Sequence, residues 1–172
     1  MSALLEARNI SFAYTKGKPI LDNFSLSVEA GERVALTGPS GKGKSTLAQI
    51  LSGFLRPDSG EILFDGKPLP EEGHNPVQLI YQHPEKAVNP RWKLGRILAE
   101  GWNPSDAFLA EAGIEKEWLK RYPLELSGGE IQRFCIARAL GPQTQLVLAD
   151  EISVMLDVIS QAQIWNMLLG LA

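Results

Sequence analysis

Nine residues, GPSGKGKST at positions 38–46, restrict what this chain can fold into more than any other stretch. Gly38 and Gly43 bracket four residues, and Lys44 and Ser45 follow directly, which is the spacing of a phosphate-binding loop. Such a loop needs an apolar strand before it and a helix after it. RVALTG (33–38) has the first pattern and STLAQILSGFL (45–55) the second. A Gly/Lys-rich surface turn would need neither flank. In this register the backbone N–H groups of residues 41–46 wrap phosphates, and the helix N-terminus adds a favourable dipole. Gly38, Gly41 and Gly43 let the backbone approach without a Cβ clash, with Pro39 and Ser40 between them. Lys44 is placed to reach the β- and γ-phosphates, Ser45 to ligate Mg²⁺ through its hydroxyl, and Thr46 closes the loop. Lys42 either adds positive charge near the phosphates or points to solvent. The ligand class is a nucleoside triphosphate, and many activities share that.

A chain of 172 residues is the length of one domain and can bury a real core. The net charge of −3 lacks the basic footprint of a nucleic-acid binder. Cys135 is the one cysteine, so no internal disulfide framework exists, as suits a reducing compartment. MSALLEARNI lacks the basic and apolar regions of a signal peptide. No apolar run approaches the roughly 18–20 residues of a bilayer span, so membrane association is expected through a partner.

Around the loop, LLEARNISFAY (4–14) and ILDNFSLSVEAGE (20–32) read as strands joined by the turn-rich TKGKP. GEILFDGKPL (60–69) is a strand and turn, and PVQLIYQ (76–82) another strand. Residues 83–126 turn helical, with Pro and Trp interruptions, and read as an insert between core strands. SGGEIQRFCIARAL (127–140) is a helix stopped by Gly141-Pro142, TQLVLADE (144–151) an apolar strand ending in carboxylates, and VISQAQIWNMLLGL (158–171) a final helix. Apolar strands alternating with helices predict an α/β fold with a buried parallel core.

Two further motifs narrow the chemistry. In LSGGEIQR, Ser127 and Glu130 form an S-x-x-E capping box. That leaves Gly128 and Gly129 unexplained, since each costs a helix about 1 kcal/mol relative to Ala. In the first turn they expose bare N–H groups to an anion. At the end of the apolar strand, Asp150 suits Mg²⁺ and Glu151 suits a general base that polarises the attacking water.

GPSGKGKST, LSGGEIQR and LVLADE, in this order and spacing, resemble the ATP-binding-cassette (ABC) ATPases over nearly the whole chain. The resemblance implies a P-loop NTPase of the ABC type, with a RecA-like parallel core, an N-terminal antiparallel β subdomain and an inserted helical subdomain. Residues 1–82 would be the β subdomain and P-loop core, 83–126 the helical insert, and 127–172 the signature helix, the Walker B strand and the following helix. It implies ATP and Mg²⁺ as cofactors, with ATP sandwiched between two cassettes paired head to tail. Ser127, Gly128, Gly129 and Glu130 would then meet nucleotide held by the partner cassette. Tyr14 falls where the family stacks an aromatic on adenine. Gln82 resembles the glutamine that senses Mg²⁺ and the attacking water and hinges the helical subdomain.

The pattern then departs from the family. DEISVMLD stands where DEPTSALD is usual, so Ile152 replaces proline, and Val154 and Met155 replace small residues. Asp157 keeps the position that contacts the partner cassette. The family follows the last helix with a strand ending in a histidine, and here His74 and His83 both precede the signature. The missing strand would leave a gap of about 9–10 Å, two strand spacings. The expectation is a C-terminally truncated cassette that binds nucleotide poorly or moderately and hydrolyses it slowly, if at all.

VQLIYQHPEKAVNPRW, LSGGE and LDVISQAQI resemble importers of peptides and nickel. That implies permease subunits as partners, an extracytoplasmic binding protein indirectly, a homo- or heterodimeric cassette pair, and a peripheral place on the cytoplasmic side of the membrane. Trp92, Trp102 and Trp118 are expected to pack a small core within the insert. The competing readings are a soluble ABC protein outside transport and a nucleotide-binding cassette that does not hydrolyse.

Overall fold

The computed structural model describes residues 3–152 and 158–170. It divides into two compact units, residues 1–77 and 78–172.

In the first unit, strands β1 (Leu5–Phe12), β2 (Leu21–Val28), β3 (Ser59–Phe64) and the short β4 (Lys67–Pro68) form one sheet in the order β2-β1-β3-β4. All three pairings are antiparallel. β1 and β2 run in register from Leu5 opposite Val28 to Phe12 opposite Leu21, with irregularities on either side of Ile10. There Asn9 and Asn23 take left-handed backbones, φ 52° and 50°. Asn9 N–H donates to Ser25 Oγ and Asn23 N–H to Ser11 Oγ, both at 3.0 Å, so neither kink leaves its amide unpaired. β3 crosses β1 closely at Gly60, where a Cβ would lie 2.4 Å from the Arg8 carbonyl oxygen. Leu5, Ala7, Ile10, Leu21, Val28 and Phe64 are buried. These strands are the expected antiparallel subdomain.

Helix α1 (Lys44–Leu51) follows the phosphate loop and buries Leu47, Ile50 and Leu51. It stops four residues before the sequence pattern suggested. Ser52 Oγ donates back to the carbonyls of Ala48 (2.9 Å) and Gln49 (3.1 Å), an alternative to continuing the helix.

The segment before the loop differs from expectation. Residues 32–39 have no regular structure, and Val34 and Leu36 are 43% and 42% exposed. RVALTG has a strand's apolar content, but no strand among the described residues pairs with it. A strand exists by its ladder, and without one its apolar side chains stay in water.

The second unit holds a two-stranded sheet of β5 (Val77–Ile80) and β6 (Leu146–Ala149), whose first strand begins at the division between the units. Asp150 N–H extends the pairing by donating to Ile80 O at 3.1 Å. β6, expected to belong to a buried core, is half-buried over Leu146–Leu148 and exposed at Ala149, as suits a strand with a single paired neighbour among the described residues. Between the strands lie α2 (Leu94–Ala99), α3 (Asp106–Glu111), three 3₁₀ turns and α4 (Gly128–Ala139). α5 (Val158–Gly170) follows β6.

The tryptophans do not make a separate core for the insert. Trp118 lies in one hydrophobic cluster with Phe134, Ile136, Leu94 and Ile97, so the insert packs directly on α4. Trp102 Nε1 donates to Ala137 O at 2.8 Å, and Arg96 lies 3.7 Å over the Trp92 ring. Leu94, Ile97 and Leu98 are the buried side of α2 and can seal only against another apolar face, which α4 supplies. Among the described residues, no helix is long and apolar enough to cross a membrane.

Candidate functional site

The phosphate loop and Tyr14 belong to the first unit, and Gln82, the carboxylate pair and the signature residues to the second.

At the loop, Gly43 has φ 84° and N-caps α1. A Cβ there would lie 2.6 Å from Ile20 Cγ2, so space and backbone both demand glycine. Residues 38–42 are exposed. Lys44 folds back over the loop, its Nζ donating to the carbonyls of Gly38 (2.8 Å) and Pro39 (3.0 Å). Both contacts are to neutral oxygens, which a phosphate would outcompete for an ammonium. The first turn of α1 contains no acidic residue, so its positive end is unopposed. Ser45 is exposed and Thr46 buried.

Tyr14 is 61% exposed. Its ring and that of Phe12 form a T-shaped pair, 4.9 Å between centroids and 88° between planes. Its hydroxyl lies 3.4 Å from Thr46 Oγ1. The ring is thus held beside the loop's end with much of its surface open. The sequence reading passed over Phe12, which ends β1 two residues before Tyr14.

In the second unit, Gln82 and Glu151 are 69 residues apart in sequence and meet directly. Gln82 Nε2 donates to Glu151 Oε2 at 2.7 Å. Glu151 has a left-handed backbone, φ 49°. Asp150, next to it, is anchored to β5 through its own N–H. Ile152, which replaces the usual proline, is buried in the hydrophobic cluster. Val154, Met155 and Asp157 lie outside the described residues.

At the signature, the capping box is formed. Ser127 Oγ accepts from Glu130 N–H at 3.3 Å, and Glu130 Oε2 accepts from Ser127 N–H at 2.6 Å. The Ser127 backbone bond is the main reason the Glu130 carboxyl titrates below its ordinary range. The box uses the serine oxygen only as an acceptor, so its O–H hydrogen is left to donate elsewhere. A Cβ at Gly128 would meet nothing within 4 Å, so the start of α4 is open to an incoming group. Sequence reasoning also passed over Gln132, which is 2% exposed and whose Nε2 has no hydrogen-bond partner. No pattern in the sequence marks a glutamine as buried. His74 is exposed, and His83 Nδ1 lies 3.4 Å from Glu85.

The donors suit a hard cation. By their chemistry the Ser45 hydroxyl, in the first unit, and the Asp150 carboxylate and Gln82 amide oxygen, in the second, are each hard oxygen donors. Mg²⁺ takes one or two carboxylates and completes its shell with water and phosphate. Among the described residues there is no group of three or more His, Cys, Asp or Glu that could hold a metal ion.

The sequence pattern of the ABC transporter family matches residues 21–154. The chain is 37% identical to the nickel import ATP-binding protein NikE of Rhodospirillum rubrum, over 98% of its own length and 70% of that protein's. It is 35% identical to the oligopeptide transport ATP-binding protein OppF of Streptococcus mutans, over 96% of its length and 61% of that protein's. Its structure is similar to a dimeric ATP-binding cassette in a post-hydrolysis state bound to ADP and Pi, with a TM-score of 0.80 at 25% identity. That likeness covers 95% of this chain and 81% of the other. A bacterial ABC exporter with ATP bound gives a TM-score of 0.80 at 28% identity, covering 98% of this chain and 33% of the exporter.

Proposed function

The chain belongs to the ABC transporter family as an ATP-binding cassette of the ATPase class coupled to transport, and from that premise we propose that it energises an importer of peptides or of nickel and its chelates. The observation that carries the nucleotide-binding core of this reading is the phosphate loop, with Lys44 held on two neutral carbonyls above a helix end free of acids. That is a cation waiting for an anion. The cargo class is supported by relatives named for nickel and oligopeptide transport.

In this reading the loop N–H groups of residues 41–46 and Lys44 bind the phosphates, and Tyr14 stacks on adenine. Ser45, Asp150 and Gln82 each supply an oxygen donor of the kind Mg²⁺ prefers. Mg²⁺, when bound, would neutralise the developing charge on the phosphates. Glu151 takes a proton from the attacking water. Ser127, Gly128 and Gly129 offer one hydroxyl and bare amides to the γ-phosphate of a second cassette in a head-to-tail pair, with Glu130 beside them. Asp157 contacts that second cassette. The chain's partners in this reading are a second cassette, permease subunits and, indirectly, an extracytoplasmic binding protein, at a peripheral position on the cytoplasmic side of the membrane; relatives named for nickel import and oligopeptide transport support a role in import.

A second reading, nucleotide binding without turnover, is favoured by the irregular segment 32–39. A phosphate loop preceded by an irregular segment lacks the strand ladder that would fix its leading end.

Fluorescent-ATP binding and phosphate release separate these readings. Binding abolished by Lys44→Ala, with phosphate release abolished by Glu151→Gln while binding persists, is the expected result. Binding without release in the unmodified chain, including when a candidate partner cassette is added, selects the second reading. Binding indifferent to Lys44→Ala would overturn both.

A further inference from the structure

Glu151 is a single left-handed residue between two anchored neighbours. Before it, Asp150 N–H is fixed to Ile80 O at 3.1 Å. After it, Ile152 is only 4% exposed and sits in the hydrophobic cluster of the second unit. The turn at φ 49° between these anchors aims the side chain at Gln82, two residues beyond the end of β5. The amide's orientation is dictated by chemistry. An ionised carboxylate only accepts, so the nitrogen of Gln82 must face it. Its oxygen remains as the amide's acceptor for a cation or a water.

Whether Glu151 can adopt this backbone depends on the residue after it. The ring of a proline presses its Cδ on the preceding residue and drives that residue to an extended conformation. Isoleucine has no ring. Its β-branched side chain is also large and stiff enough to anchor the chain once buried.

We propose that Ile152 is a positioning residue for the general base: it permits the left-handed turn at Glu151, anchors it by its own burial, and so delivers the carboxylate to the Gln82 amide. This rests on the reading of Glu151 as the base. It assigns a role to the residue that departs most plainly from the family pattern, and makes Gln82 the receiving half of the same device.

The test is the side-chain amide resonance of Gln82 in the ¹⁵N-labelled, nucleotide-free chain, assigned by its loss in Gln82→Met. Glu151→Ala and Ile152→Pro should each shift it to the position of a free glutamine amide. The two substitutions combined should shift it no further than either alone. Ile152→Val, branched and without a ring, should leave it in place. Ile152→Ala, which keeps the turn available but removes most of the anchor, should move it part of the way, and this arm decides the matter if Ile152→Pro does not fold. A resonance already at the free position in the unmodified chain overturns the proposal. So does one unmoved in folded Ile152→Pro, or in Ile152→Ala. No nucleotide is involved. An inactive chain whose Gln82 resonance behaves as expected therefore contradicts the functional reading alone, and an active chain with an insensitive resonance contradicts this proposal alone.

Discussion

A left-handed backbone at a glutamate is expensive, about 1–2 kcal/mol against the right-handed alternative, and at Glu151 it coincides with the proposed base. Strain of this kind persists where the surroundings over-determine it, here through Asp150 on one side and Ile152 on the other. It has a measurable sign. Glycine normally destabilises relative to alanine because it frees the unfolded chain, by roughly 0.5–1 kcal/mol. At φ 49° the order should reverse. Glu151→Gly should be more stable than Glu151→Ala by about 0.5–1 kcal/mol in urea unfolding, although both lack the carboxylate. Equal stabilities, or alanine ahead, would mean the turn is not left-handed in solution. The residue type at 151 was legible as a carboxylate ending an apolar strand. Its backbone was not, because no local propensity favours φ > 0 for glutamate, and the cause lies in contacts made by its neighbours.

At the scale of elements, α4 carries the signature and sets Ile131, Phe134, Cys135, Ile136, Ala137 and Ala139 in the hydrophobic cluster of its unit. Its start is local chemistry: Ser127 and Glu130 satisfy each other's amides across one turn. Replacing Ser127 by alanine should cost about 1 kcal/mol of stability. Glu130 adds a pH dependence. Its carboxyl is depressed below the ordinary 4.5, chiefly by the Ser127 N–H bond. A depressed folded-state pKa means that the stabilisation is present above the unfolded value and lost as pH falls through the folded one. Glu130→Gln should therefore be less stable than the unmodified chain near neutral pH, and the gap should close in acid. A gap that is constant with pH would remove the carboxylate from the capping box. The box was readable because it spans four residues. The burial of α4 against Leu94, Ile97 and Trp118 was not, since the tryptophan pattern fits a self-contained insert equally well.

For the molecule as a whole, the surprise is residues 32–39. RVALTG reads as a short apolar strand, but Val34 and Leu36 are substantially exposed and no strand among the described residues pairs with the segment. The two possibilities differ in energy by enough to decide. In a packed strand, truncating Leu36 to alanine would cost about 2–5 kcal/mol. On an exposed segment Leu36→Gln should change stability by no more than about 0.5 kcal/mol. Chemical denaturation of the purified chain distinguishes them, and a large loss would show that a strand forms there after all.

What the sequence determined by itself is everything that lives within a few residues. The phosphate loop, the capping box, the carboxylate pair and the antiparallel hairpin partners β1 and β2 follow from spacings that a short peptide already specifies. They include the glycine at 43, which the Gly-x-x-x-x-Gly-Lys-Ser spacing of the loop already demands. Tertiary structure alone decided which apolar runs find a ladder, what the insert packs against, and where the Glu151 carboxylate goes. Each depends on a partner distant in the chain: β5 for β6, α4 for α2, Gln82 for Glu151. A strand's hydrogen bonds and a carboxylate's donor are supplied from outside their own segment. No pattern within RVALTG or LVLADE could announce whether that supply was there.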